Sequence, residues 1–126
     1  MSASGLLNLK SGDAQSNDVA TVVQVASANG AITIPDRGRK LVVITKGTAA
    51  ALTLAAPTAT VHDGVEIVFV SITAAAHTVT ATTIGFNAGD AASDVGTFGA
   101  AIGNGLACVA YQGEWYVTNN INVTLG

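Results

Sequence analysis

A series of short runs constrains this chain more than anything else in it. VATVVQVAS (19–27), KLVVITK (40–46), ALTLAA (51–56), GVEIVFVSI (64–72), HTVTATTIGF (77–86), LACVAY (106–111) and EWYVTNN (114–120) are short strand-like runs, the first of them rich in β-branched residues, with turn chemistry between them. Such side chains suit a pleated, half-buried surface, and short runs bounded by turn residues read as strands. No ten-residue window carries the spacing of an amphipathic helix. AAPTATVHDG (55–64) places a proline and β-branched residues where a helix tolerates neither. The chain therefore reads as all-β, with roughly eight to ten short strands. The expected architecture is a compact β-sandwich or a short β-barrel of the jelly-roll or tulip kind.

Local patterns place the turns and the faces. Asn29-Gly30 predicts a hairpin, Pro35-Asp36 starts a turn toward Gly38, and Asp63-Gly64 and Gly113 mark two more. The polar stretch NAGDAASDVG (87–96) reads as a loop. In the run after Gly64, Ile67 and Phe69 share one face while Glu66, Val68, Val70 and Ile72 share the other. Both faces are mostly apolar, which predicts a central strand covered on two sides or lying at a subunit contact. HTVTATT alternates instead, Val79 and Ala81 against Thr78, Thr80 and Thr82, as a half-exposed strand does. In the closing hairpin Ala107, Val109 and Tyr111 fall on one face of the first arm, and Trp115 and Val117 share a face of the second.

A chain of 126 residues suits one domain, and 49% hydrophobic content argues for a folded one. The apolar residues are small, however, and fourteen glycines raise the entropy lost on folding. With little area per residue to bury, much of the stability is expected between subunits. Residues 1–18 read as an extended N-terminal arm and 19–126 as a single β domain. Leu6, Leu7 and Leu9 are the arm's apolar patch, placed to add an edge strand or to pack on a neighbour.

Several functions are disfavoured. The first residues lack the basic region and long apolar run of a secretory signal, and polar residues interrupt every run that would have to cross a membrane as a helix. Arg37, Arg39 and Lys40 form a basic cluster on a chain of net charge −3, expected as a solvated rim rather than a nucleic-acid site. Cys108 reads as a small buried hydrophobe. His62 and His77 belong to no recognisable catalytic or phosphate-binding motif, and the acids of 87–94 lack the donors of a calcium loop. No catalysis, metal or cofactor is expected. Tyr111, Trp115, Tyr116, Asn119 and Asn120 would suit a sugar platform. In a chain this poor in rings Trp115 and Tyr111 fit better as core or interface, a role also given to Ile67 and Phe69.

The layout of a polar arm, then DGVEIVFV (63–70), HTVTA (77–81), a glycine-rich stretch and a closing GEWYV (113–117) resembles the decoration (cement) proteins of tailed-bacteriophage capsids and, as an alternative, β-rich fibre modules. The resemblance implies a non-enzymatic homotrimer bound at threefold positions on the outside of the virion. Its partner would be the major capsid protein. It also implies that Leu6, Leu7 and Leu9 anchor the arm to capsid or neighbour, and that Ile67, Phe69 and the Trp115 hairpin lie at the subunit interface.

Overall fold

The computed structural model describes residues 21–89 and 94–126. Among these residues ten strands follow one another: β1 (Thr21–Ala26), β2 (Gly30–Ile32), β3 (Arg39–Ile44), β4 (Ala51–Leu54), β5 (Glu66–Ser71), β6 (Thr78–Ala81), β7 (Val95–Phe98), β8 (Gly105–Tyr111), β9 (Glu114–Ile121) and β10 (Val123–Leu125). They form two mixed five-stranded sheets, ordered β1-β3-β5-β8-β9 (sheet A) and β10-β7-β6-β4-β2 (sheet B). The fold is all-β, as the sequence predicts, and β5 is the middle strand of its sheet.

The connectivity has two regimes. From β1 to β6 the chain passes alternately from one sheet to the other, so each new strand lies parallel to the one laid down two strands earlier. The successive offsets are unequal: Thr21 pairs with Arg39 and Arg39 with Glu66, 18 and then 27 residues on. After β6 the chain reverses. β7 runs antiparallel to β6, β8 to β5, β9 to β8 and β10 to β7. The Asn29-Gly30 pair therefore does not close a hairpin. It carries the chain from sheet A to sheet B, and Gly30 has an extended φ of 159° rather than the left-handed value a tight hairpin turn needs. The β8–β9 turn does use that geometry, with Gln112 at φ 47° and Gly113 at 82°. In the stretch expected as one loop, residues 95–96 already belong to β7.

Alternation fixes the core. Val42, Ile44, Ile67, Phe69, Leu106 and Cys108 of sheet A and Ile32, Leu52, Leu54, Val79, Ala81 and Phe98 of sheet B are buried in one hydrophobic cluster. Gly105 fits because its backbone passes the Phe69 carbonyl so closely that a Cβ would stand 2.8 Å from that oxygen. Cys108 is buried as expected, and desolvation first, then the Glu66 charge, pushes its thiol up to about 12.

Trp115 shows why a ring is needed near the end of the chain. It is wholly buried, and its indole N–H donates to the Ala55 carbonyl just past β4, at 2.8 Å. Its backbone bridges to Phe86, and its carbonyl accepts from Asn87 N–H at 2.8 Å. One residue on the edge strand of sheet A thus ties that sheet to two segments that follow strands of sheet B, through its ring to the segment after β4 and through its backbone to the segment after β6.

Candidate interaction faces

Cross-strand register turns the strands into faces. The outward side of sheet A carries three rungs: Val25–Val43–Val70–Gly105–Ile121, Val23–Leu41–Val68–Ala107–Asn119, and Thr21–Arg39–Glu66–Val109–Tyr116. Two of the three hold nothing charged. The third confines its charges to one ion pair, in which the Arg39 guanidinium donates to Glu66 Oε1 through Nε at 3.0 Å and a terminal nitrogen at 2.8 Å. A shallow groove of about 120 Å³ lies over the small side chains of β8, between Val68, Val70 and Ile121. Ile72 and Ile102 are exposed on loops that meet at one end of this sheet, where Gly103 N–H donates to the Ser71 carbonyl.

Sheet B presents different chemistry in the same geometry. Its outward rungs are Ala31–Thr53–Thr80–Val95 and Ala51–Thr78–Thr97–Thr124. Hydroxyls stand where sheet A has methyls, and a threonine differs from a valine by that substitution alone. A contiguous apolar face with a polar margin marks an interaction site; a threonine face does not.

The sequence-nominated residues separate accordingly. Ile67, Phe69 and Trp115 are core residues. Tyr111 is 60% exposed, so it is not core; it lies on the same side of β8 as Ala107 and Val109, beside Tyr116 across the hairpin. Burial of Trp115 removes the central ring from the supposed sugar platform, leaving the two tyrosines. Leu6, Leu7 and Leu9 lie outside the described residues. Val23, Leu41 and Val43 were not singled out by sequence reasoning. Their alternation is visible in β1 and β3, but only register shows that the outward positions join into one face.

The basic cluster is not one solvated rim. Arg39 is at the surface, whereas Lys40 points inward and is buried. Its ammonium donates to Gln24 Oε1 and the Thr33 carbonyl, each at 2.6 Å, and to Thr33 Oγ1, so all three protons have acceptors. Burial lowers its pKa.

Each histidine accepts a backbone N–H through Nδ1. His77 is buried, with Nδ1 accepting from Ala50 N–H at 3.0 Å. Its proton therefore sits on Nε2 and is donated to Thr73 Oγ1 at 2.9 Å, whose own hydroxyl donates to the Lys46 carbonyl at 2.6 Å. Desolvation is the main reason its pKa is lowered, and the Lys46 charge acts in the same direction. His62 Nδ1 accepts from Thr58 N–H within the turn before β5. In that turn Asp63 accepts from the Gln112 backbone N–H at 2.8 Å, the Gln112 amide at 2.6 Å and Thr60 N–H at 3.1 Å, bonds that hold its carboxyl below the ordinary range. Among the described residues no group of three or more His, Cys, Asp or Glu could hold a metal ion.

No family model matches the chain, and no curated protein or solved structure matches it either.

Proposed function

We propose that the protein is a structural subunit of a bacteriophage virion, without chemistry of its own. It sits as a homotrimer at threefold positions on the outer surface of the capsid and stabilises the shell against the major capsid protein. The observation that carries this reading is the apolar outer face of sheet A, opposed to the threonine face of sheet B. A subunit with one dry face and one hydrated face is suited to lie flat between a particle and water. Low charge supports the same reading, because an apposed surface pays heavily for unpaired ions. The acidic balance of −3 gives no support to nucleic-acid binding. We further read the two sheets as a compact sandwich rather than a barrel, on the ground that each has two edge strands and both feed one core cluster.

Two measurements test the proposal together. Light scattering over a dilution series is expected to give the mass of three chains, and the trimer is expected to bind empty capsids. Val68→Asp, on the middle strand of the dry face, should weaken that binding at least about thirtyfold, the equivalent of a 2 kcal/mol hot spot. Undiminished binding by a folded Val68→Asp protein would remove sheet A from the contact. A monomer that binds glycans through Tyr111 and Tyr116 would replace the virion reading altogether.

A further inference from the structure

The first strands of the two sheets end the fold on the same side, yet their edges are treated differently. On β2 the outward backbone is already satisfied by side chains. The Gln24 amide donates to the Ala31 carbonyl at 3.4 Å and accepts from Thr33 N–H at 3.3 Å, and Lys40 covers the Thr33 carbonyl. The edge of β1 has no such cover among the described residues. Ala26 turns its carbonyl to β3, where it accepts from Thr45 N–H at 3.0 Å. Strand alternation then turns Val22 and Gln24 the same way and leaves the amides of Val23 and Val25 facing outward. Val23 and Val25 are 58% and 59% exposed, and Val22, whose side chain points toward the core, is still 46% exposed. β1 contains no charge, proline or bulge, the devices by which edge strands are normally protected. A cavity of about 200 Å³ opens beside it, over Ala26, Ile32 and Leu52.

We propose that this edge is the docking site of the chain's own N-terminal segment, with Leu6, Leu7 and Leu9 covering β1 of the same molecule. Twenty residues precede Thr21, and they end at the first residue of the open edge. A partner for β1 needs about six residues at ~3.3 Å each, and the length left over suffices for a connection. The leucines supply apolar side chains for the exposed valines and the cavity. Between them and β1 lie Gly12-Asp13 and Asn17-Asp18, residues with turn chemistry. A short tether holds such a segment at an effective concentration in the millimolar range, which favours the molecule's own arm over a second copy in dilute solution. This inference is independent of the virion reading, since it concerns only how the chain closes its own edge.

Amide hydrogen exchange on the full-length protein, read residue by residue by NMR, tests it. Val23 and Val25 amides are expected to be protected, equally at every dilution. Protection should fall at least about tenfold in a Leu6→Ser/Leu7→Ser/Leu9→Ser variant while Leu106 and Cys108 stay protected. Should that variant fail to fold, a nitroxide on the thiol of Leu7→Cys should broaden the Val23 signal; Cys108 is buried and escapes labelling. Val23 and Val25 exchanging as freely as exposed turn amides would overturn the proposal, as would protection unchanged in the triple variant. Protection that fades on dilution would also overturn it, assigning the edge to a second copy.

Discussion

The outward faces of the two sheets are nearly the same shape and chemically opposite. Sheet A shows Val23, Val25, Leu41, Val43, Val68 and Val70; sheet B shows Thr53, Thr78, Thr80, Thr97 and Thr124. Both residue types are β-branched and satisfy a strand equally well, so the fold has no preference between them. Folding therefore does not account for the difference; in the proposed reading one face stays hydrated and the other loses its water to a partner. The inner faces show no such contrast, because both feed one core.

Breaking the support of both faces at once should give the largest effect. Trp115→Ala removes the buried ring that ties sheet A to the segment after β4, and a large-to-small change at a buried aromatic costs ~3–5 kcal/mol. Urea unfolding should show that loss, and a variant as stable as the parent would contradict the tying role. Exchanging chemistry between faces sharpens the comparison with less damage. Val70→Thr places a hydroxyl on the dry face, where leaving it unpaired costs ~1–3 kcal/mol on association, read as weaker trimer or capsid binding. Thr80→Val on the wet face should leave both unchanged; equal effects from the two would erase the distinction.

Acid should act on the joints rather than on the faces. The folded protein lowers the His77 pKa from the model-peptide value of 6.5. The unfolded chain therefore takes up that proton first as pH falls, and the stability held above pH 6.5 is lost progressively below it, down through the folded pKa. Urea midpoints should decline through that window, and His77→Gln should flatten the decline; a midpoint independent of pH there would show that His77 binds its proton equally in both states. Smallest of all should be Arg39→Ala. Its partner Glu66 is only half-buried, and an exposed ion pair contributes ~0–1 kcal/mol. A larger loss of stability would place that pair in a drier setting than the free molecule gives it.

Local chemistry was legible in the sequence wherever alternation decides it. The two faces of β5, the half-buried β6, the Gln112-Gly113 turn and the burial of Cys108 and Trp115 all follow from side-chain period and size. Lys40 was misplaced because charge usually implies solvent, and only the position of Gln24 and Thr33 reveals three acceptors around it. Asn29-Gly30 was misjudged because a dipeptide reports a turn and not which sheet the next strand joins. The parallel winding left no repeat to detect, since its offsets are unequal and each connection has its own length. The dry face was the least legible feature. Its residues come from five strands spread over the chain, and each alone is an ordinary half-exposed position.

The central position of β5 also has a consequence in time. Its first neighbour, β3, is made before it, but its second, β8, comes far later: Ile67 and Cys108, which face each other across the pair, are separated by 41 residues. At a synthesis rate of about 5–20 residues per second, the second edge of the strand stands bare for ~2–8 s in every nascent chain. During that interval the strand EIVFVS, whose Ile67 and Phe69 belong to the core, is open to whatever other strand reaches it first. Crowded polysomes are therefore a setting in which this bare edge can mispair before its own partner strand is made.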